Sequence, residues 1–372
     1  MSEYGRSGRS GRSGRSGRSG RSGRSGRSGR SGRSGFEDMS GALLDGLESA
    51  RDGLIGVWNG TVGPRVPQRR LASGPGDIWY ASETIRGDLL VYDLIAGVTV
   101  AADTAKAEVN LPGGPRLGLG CPDLGFFAQQ MPLVRSYADL RLDRAAEIDT
   151  QIDDIMSYFG GFVFLNDTRR RQTAELLHAV VDLCIMVEMR IKHAFAVPRP
   201  IDFDGRIHPM IDTPTHGAFP SGHATEAFAV ASVLNALVTG QTIQQGVAAH
   251  GELFRLAHRI ATNRTVAGVH FPADSAAGAL LGCGLADFVL AQAGGPSTGA
   301  NLVLTAEADD APGYFGSADD FTLPWLANAL QGLAAEKDAK ASAPIARPVL
   351  SAVWQRASAE FDIYQAAPGA GV

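Results

Sequence analysis

Apolar side chains recur at helical spacing through seven stretches of the chain: 42–58, 84–109, 137–159, 172–195, 225–237, 244–262 and 272–292. One face of an α-helix repeats every 3.6 residues, so this spacing predicts amphipathic or buried helices. Strand-like alternation is scarce, and the expected fold class is all-α, a helical bundle formed as one domain over 36–372. Between the helices, 111–132 is rich in Gly and Pro and predicts a long surface loop. Beyond 293, Gly/Pro/Ser segments alternate with one further helix near 324–339. That tail reads as a wrap or an oligomer contact, and a homo-oligomer is expected.

Start and stop signals place several polar residues at helix ends. The helix carrying Lys192 must finish before Pro198, which lacks a donor and constrains its predecessor. Arg199 then lies just beyond it. Ser221 stands where an N-cap would precede an alanine-rich helix. Pro272 suits a first helical turn, which puts His270 just ahead of a helix and Asp274 inside its first turn.

The N-terminus changes the charge picture. Gly-Arg-Ser repeats ten times from Gly5 to Ser34, a composition that buries no apolar area, so 1–35 is expected to be a disordered arm. The whole chain carries a formal charge of −5. Setting aside the ten arm arginines and Glu3 leaves 24 basic against 38 acidic residues, a net −14. So acidic a body argues against nucleic-acid binding, and an anion must be drawn by a local cluster of positive groups. Cys121, Cys184 and Cys283 are widely spaced and suit neither a zinc site nor a disulfide framework; Cys184 and Cys283 are expected in the core. No run of 18 uncharged apolar residues and no leader-like N-terminal stretch is present, giving the expectation of a cytoplasmic protein without membrane insertion.

Three short segments carry the candidate chemistry. The first offers Lys192 and Arg199, a point charge and a planar fork of donors. The second, Phe219-Pro220-Ser221-Gly222-His223, offers a hydroxyl, an unobstructed backbone amide and an imidazole. The third offers Arg264, His270 and Asp274. Three fixed cations, neutral donors and positive helix ends are what a tetrahedral oxyanion requires. The phosphate-loop motif is absent, so separate helices must supply the charge. Asp274, one turn after His270, would fix that imidazole's tautomer and leave its other nitrogen as nucleophile or metal ligand. His223 would act as general acid or base.

The order Lys-x6-Arg-Pro, Pro-Ser-Gly-His, Arg-x5-His-x3-Asp over 192–274 resembles the three-part signature of the superfamily that joins vanadium-dependent haloperoxidases to type 2 phosphatidic acid phosphatases. One departure is Asn263, where that family usually has Ser before the arginine. The resemblance implies that Lys192, Arg199 and Arg264 neutralise vanadate, with phosphate able to occupy the same site, while Ser221 and the Gly222 amide bind its oxygens. It further implies that His270 ligates vanadium or attacks phosphorus, and that His223 is the acid or base.

Vanadate and phosphate share shape and charge, so the surroundings must distinguish the two activities. His216 stands five residues before Ser221, where haloperoxidases similar to this chain place a His or Phe bordering the halide side, and a His there is associated with bromide and iodide. The alternative is a turn histidine that faces solvent. The long helical section before Lys192 also resembles a bacterial haloperoxidase, whereas Met189 stands where several of them carry Trp. The resemblance thus favours oxidation of bromide or iodide by hydrogen peroxide to hypohalous acid, acting on a small organic acceptor. The alternative is a soluble acid phosphatase working through a phosphohistidine at His270.

Overall fold

The computed structural model describes residues 45–50, 75–114, 116–166, 168–299, 302–304, 313–333 and 345–362. The repeat arm, and most of the helix expected over 42–58, lie outside them. The chain divides into two units, 1–88 and 89–372. The first unit's described residues include helical positions 45–50 and the 3-10 helix Pro75–Tyr80. There the Arg86 guanidinium lies 5.1 Å from the Trp79 ring centroid and donates to the Ala81 carbonyl at 2.7 Å.

The second unit is mostly helical, as expected. After α1 (Glu83–Ile95) come α2 (Leu124–Ser136), α3 (Arg141–Gln151), α4 (Met156–Val163), α5 (Arg171–Phe195) and the short α6 (Pro200–Phe203). These are followed by α7 (Gly222–Thr239), α8 (Ile243–Ala248), α9 (Glu252–Val266), α10 (Pro272–Ala293), α11 (Leu323–Leu333) and α12 (Pro348–Ala359). Helix α7 is the hub, packed against α5, α9 and α10. Its closest approach is to α10. A Cβ at Gly278 would lie 2.5 Å from the Ser221 carbonyl oxygen, and one at Gly282 would lie 2.2 Å from that of Thr225. Only glycine permits that spacing, which brings the first turns of α7 and α10 side by side. Cys184 and Cys283 are buried, as expected. By length and composition α10 could cross a membrane, but 83% of its most apolar window is buried inside the structure. Burial in the core accounts for its composition.

The sequence pattern misses a small sheet of four strands in order β1 (Thr99–Ala102), β2 (Lys106–Asn110), β3 (Arg116–Gly120) and β4 (Leu302–Leu304). The first three pair antiparallel and β4 joins β3 in parallel. The helix expected over 84–109 therefore ends at Ile95. Gly97 takes a positive φ of 74°, and the Asp103 side chain accepts the Ala105 and Lys106 amides to turn the chain into β2. In β2 Ala107 and Val109 face inward between exposed neighbours, a period of two that is too short to register beside a helix.

The loop expected over 111–132 is corrected to β3 and α2. Gly118 and Gly120 alternate with buried Leu117 and Leu119, and Asp123 caps α2 by accepting the Phe126 amide at 2.8 Å. Pro132, read as a loop signal, lies inside that helix. The stretch 137–159 breaks into a 3-10 turn, α3 and α4. The stretch 244–262 is interrupted at His250, whose φ is 51°. In the tail, α12 was not expected; its Leu350, Val353, Trp354 and Ala357 are buried at helical spacing. It packs on α5, whose first turn is capped by Glu360 through the Gln172 and Thr173 amides at 2.9 Å each.

Candidate functional site

All three polar segments meet where α5, α7, α9 and α10 begin or end. Helix α5 stops at Ala196, held left-handed at φ 48°, and Arg199 follows as the N-cap of α6 with its amide bound to Asp202. Ser221 is the N-cap of α7, its Oγ accepting the Ala224 amide at 3.4 Å. Its own amide donates to the Asp274 carbonyl at 2.8 Å, which ties the second segment directly to the third. The Phe219–Pro220 peptide is cis.

His270 and Asp274 form the expected pair. Nδ1 of His270 lies 2.8 Å from Oδ2 of Asp274, and the same oxygen accepts the Phe271 amide at 2.9 Å. A carboxylate only accepts, so Nδ1 carries the proton and Nε2 presents its lone pair. Arg199 Nη1 stands 3.0 Å from that Nε2. Burial foremost, then the charges of Arg199 and Lys192, hold the His270 pKa well below 6.5. Burial raises the Asp274 pKa, against the lowering effects of the Phe271 amide, Lys192 and Arg199.

The three cations are held differently. Lys192, 1% exposed, donates to the Gly217 and Ala218 carbonyls at 3.3 and 3.2 Å. Burial lowers its pKa to about 8, while the carboxylate of Glu188, one helical turn earlier, pulls it upward. Glu188 also lies against Gly222, where a Cβ would come within 2.5 Å of its Oε1. Arg199 is bound to the His216, Val269 and Gly217 carbonyls at 3.1, 2.8 and 3.2 Å. Burial brings its pKa to about 10. Arg264, 1% exposed, donates from Nη2 to the Ile148 carbonyl at 3.2 Å and to Gln151 Oε1 at 3.3 Å. Its Nε and Nη1 are buried with no partner among the described residues. Two buried guanidinium donors without acceptors are costly, and an oxyanion would satisfy them.

Two histidines have partners that the sequence does not show. His216 does not simply face solvent: it is half-buried, with Nδ1 3.1 Å from Arg199 Nη2, and burial lowers its pKa to about 4. His223 has Nε2 2.9 Å from the Gln151 carbonyl. The neighbours that sequence reasoning missed are Glu188 and Gln151. Glu188 had a signal, since a Glu four residues before a Lys faces it on a helix. Gln151 had none, because it is more than 40 residues from the nearest motif. Aromatic rings back the site: Phe127 lies 5.8 Å from Phe219 and 5.1 Å from Phe271, centroid to centroid.

Convergent helix ends, three buried cations and a carboxylate-oriented imidazole thus lie together in a mostly helical protein. Residues 174–295, which contain all three segments, match the PAP2 superfamily, so the chain carries a PAP2 superfamily domain there. That superfamily includes both phosphatases and vanadium-dependent haloperoxidases, and its members are generally enzymes. No curated protein matches the chain.

Proposed function

We propose that the pocket holds vanadate and that the protein oxidises bromide or iodide with hydrogen peroxide, releasing hypohalous acid to small organic acceptors. The observation that carries this choice is the place of His216. It is in contact with Arg199 at the edge of the pocket, where the family resemblance puts a residue bordering the halide.

The residues present fit vanadate. Arg264 Nε and Nη1, without partners among the described residues, and the lone pair of His270 Nε2 are the groups such an anion would use, with Lys192 and Arg199 balancing its charge. Among the described residues no cluster of three His, Cys, Asp or Glu suits a metal cation, and an oxyanion held through one imidazole and hydrogen bonds requires none. When bound, vanadate supplies the Lewis acid that activates hydrogen peroxide towards halide. Asp274 keeps the His270 proton on Nδ1, so that Nε2 is directed to the anion. The Gln151 carbonyl keeps a proton on Nε2 of His223, so any proton given or taken there moves at Nδ1.

A second reading follows from the neutral, carboxylate-oriented His270. Its Nε2 could attack the phosphorus of a phosphomonoester while His223 protonates the departing alcohol, and water would then release phosphate from His270. One preparation decides between them. After vanadate loading, peroxide- and bromide-dependent bromination of a phenol dye is expected. Hydrolysis of an aryl phosphate that vanadate inhibits, with no halide oxidation in the loaded protein, would replace the first reading by the second.

A further inference from the structure

The wall of the pocket behind Arg264 comes from outside the matched domain. Gln151, the last residue of α3, is fully buried and joins three elements. Its Oε1 accepts Arg264 Nη2 at 3.3 Å and Asn263 Nδ2 at 2.9 Å, and its Nε2 donates to Glu147 Oε1 at 3.0 Å. Its main-chain carbonyl accepts His223 Nε2 at 2.9 Å. The amide orientation follows from the neighbours: the guanidinium only donates and the Glu147 carboxylate only accepts.

Asn263 explains its own departure from the family pattern. Its Nδ2 reaches both Glu147 Oε1 and Gln151 Oε1 at 2.9 Å, and its Oδ1 accepts Arg144 Nη1 at 2.9 Å. A serine hydroxyl, with one proton, could not make both donations at once. Glu147 is further held by paired bonds from Arg259 at 2.7–2.9 Å. Gln151 is thus gripped on one side by a charged network and presents its oxygen to the pocket cation on the other.

We propose that Gln151 is a positioning residue that sets the Arg264 guanidinium and the His223 tautomer together. A planar guanidinium is fixed once one nitrogen is held from two directions. With Nη2 held by Ile148 and Gln151, Nε and Nη1 are left as the donors for an anion. The Ile148 carbonyl belongs to the last turn of α3, where the helix dipole favours a cation. The same turn requires His223 to carry a proton on Nε2, which assigns its exchangeable site to Nδ1. The inference rests on the oxyanion reading above but not on which oxyanion chemistry follows.

The test is inorganic phosphate affinity by calorimetry for wild type, Gln151→Met, Arg264→Lys and the double variant. Gln151→Met is expected to weaken phosphate by at least roughly tenfold, the equivalent of one charge-assisted hydrogen bond. The double variant should bind little worse than Arg264→Lys alone, because both act through one guanidinium. Gln151→Asn, which keeps an amide but shortens it, gives a milder loss and stands in if the Met variant does not fold. Imidazole 15N spectra, assigned by the missing signals of His223→Ala, should show His223 as the Nε2–H tautomer. Unchanged affinity in both Gln151 variants, additive losses, or an Nδ1–H tautomer overturns the inference. Wild type that binds no phosphate instead overturns the oxyanion reading beneath it.

Discussion

Arg199 places Nη1 3.0 Å from Nε2 of His270, the nitrogen that Asp274 leaves with its lone pair. The guanidinium is therefore beside the one ring nitrogen that carries no proton, where, after burial, its charge keeps the imidazole neutral, and under the proposed function it would share the same anion.

Asp274 serves both His270 and the first turn of α10. Asp274→Ala leaves the Nδ1 proton and the Phe271 amide without their acceptor, both in the core. Removing a partner that orients a metal-bound histidine typically costs about 10–100-fold in affinity or activity. A loss of that order in vanadate affinity is expected, with a stability loss of ~1–3 kcal/mol from the orphaned donors. Asp274→Asn, which retains an acceptor oxygen, should recover stability more than activity. Equal recovery of both would contradict the role given to the charge.

Arg264 is a stability cost that binding would offset. Its buried Nε and Nη1 lack acceptors among the described residues, so Arg264→Met in phosphate-free buffer should leave the thermal midpoint unchanged or raise it. Phosphate at a hundred times the wild-type Kd should stabilise wild type by about 2.7 kcal/mol and a variant that binds about 10–100-fold more weakly by only about 0.4–1.4 kcal/mol. A variant that melts well below wild type without phosphate would place Arg264 among purely structural residues.

Most of the helical fold and the three motifs were legible in the sequence because each announces itself locally. Pro198, Ser221 and Pro272 mark helix ends, and the stretches 172–195, 225–237 and 272–292 are long enough to show their period. The sheet was not legible, because strands of three to five residues are too short to show their period, and β3, with glycine at alternate positions, looks like a loop. The site's first layer was likewise readable as charge and imidazole. What holds it was not, because Gln151 reaches Arg264 and His223 through contacts that only the tertiary fold creates. Asn263 illustrates the difference: in sequence it is a mismatch, in structure the amide that grips Gln151.

The free protein's anion affinity should follow Lys192. Burial lowers its pKa to about 8 from the ordinary 10.5, so the ammonium is charged below that pH and progressively neutral above it. Sulfate, whose charge is constant over this range, should bind more weakly as pH rises through about 8, rather than only near 10.5. Glu188 raises the Lys192 pKa, so Glu188→Gln should move the fall to lower pH. Calorimetric titrations at several pH values check both. A fall that moves to higher pH in the variant has the wrong sign for this electrostatic arrangement.

The C-terminal helix stabilises the domain at a distance from the chemistry. Glu360 caps α5 through the Gln172 and Thr173 amides and the Thr173 hydroxyl. Glu360→Ala should cost about 0.5–2 kcal/mol, the usual range for a lost cap. Chemical denaturation measures the loss, and phosphate affinity under native conditions should be unchanged. Loss of affinity without loss of stability would show that α12 reaches the site in a way this cap does not describe.

The central claim is that the segments within 192–274 form one oxyanion pocket, and the most direct measurement is calorimetric titration of wild type and Arg264→Ala with phosphate and with orthovanadate. The expected result is one saturable site for each anion, competition between them, and affinity in the variant reduced by about 10–100-fold, the worth of one or two charge-assisted hydrogen bonds. No saturable site in wild type, or equal affinity in the variant, would contradict the account.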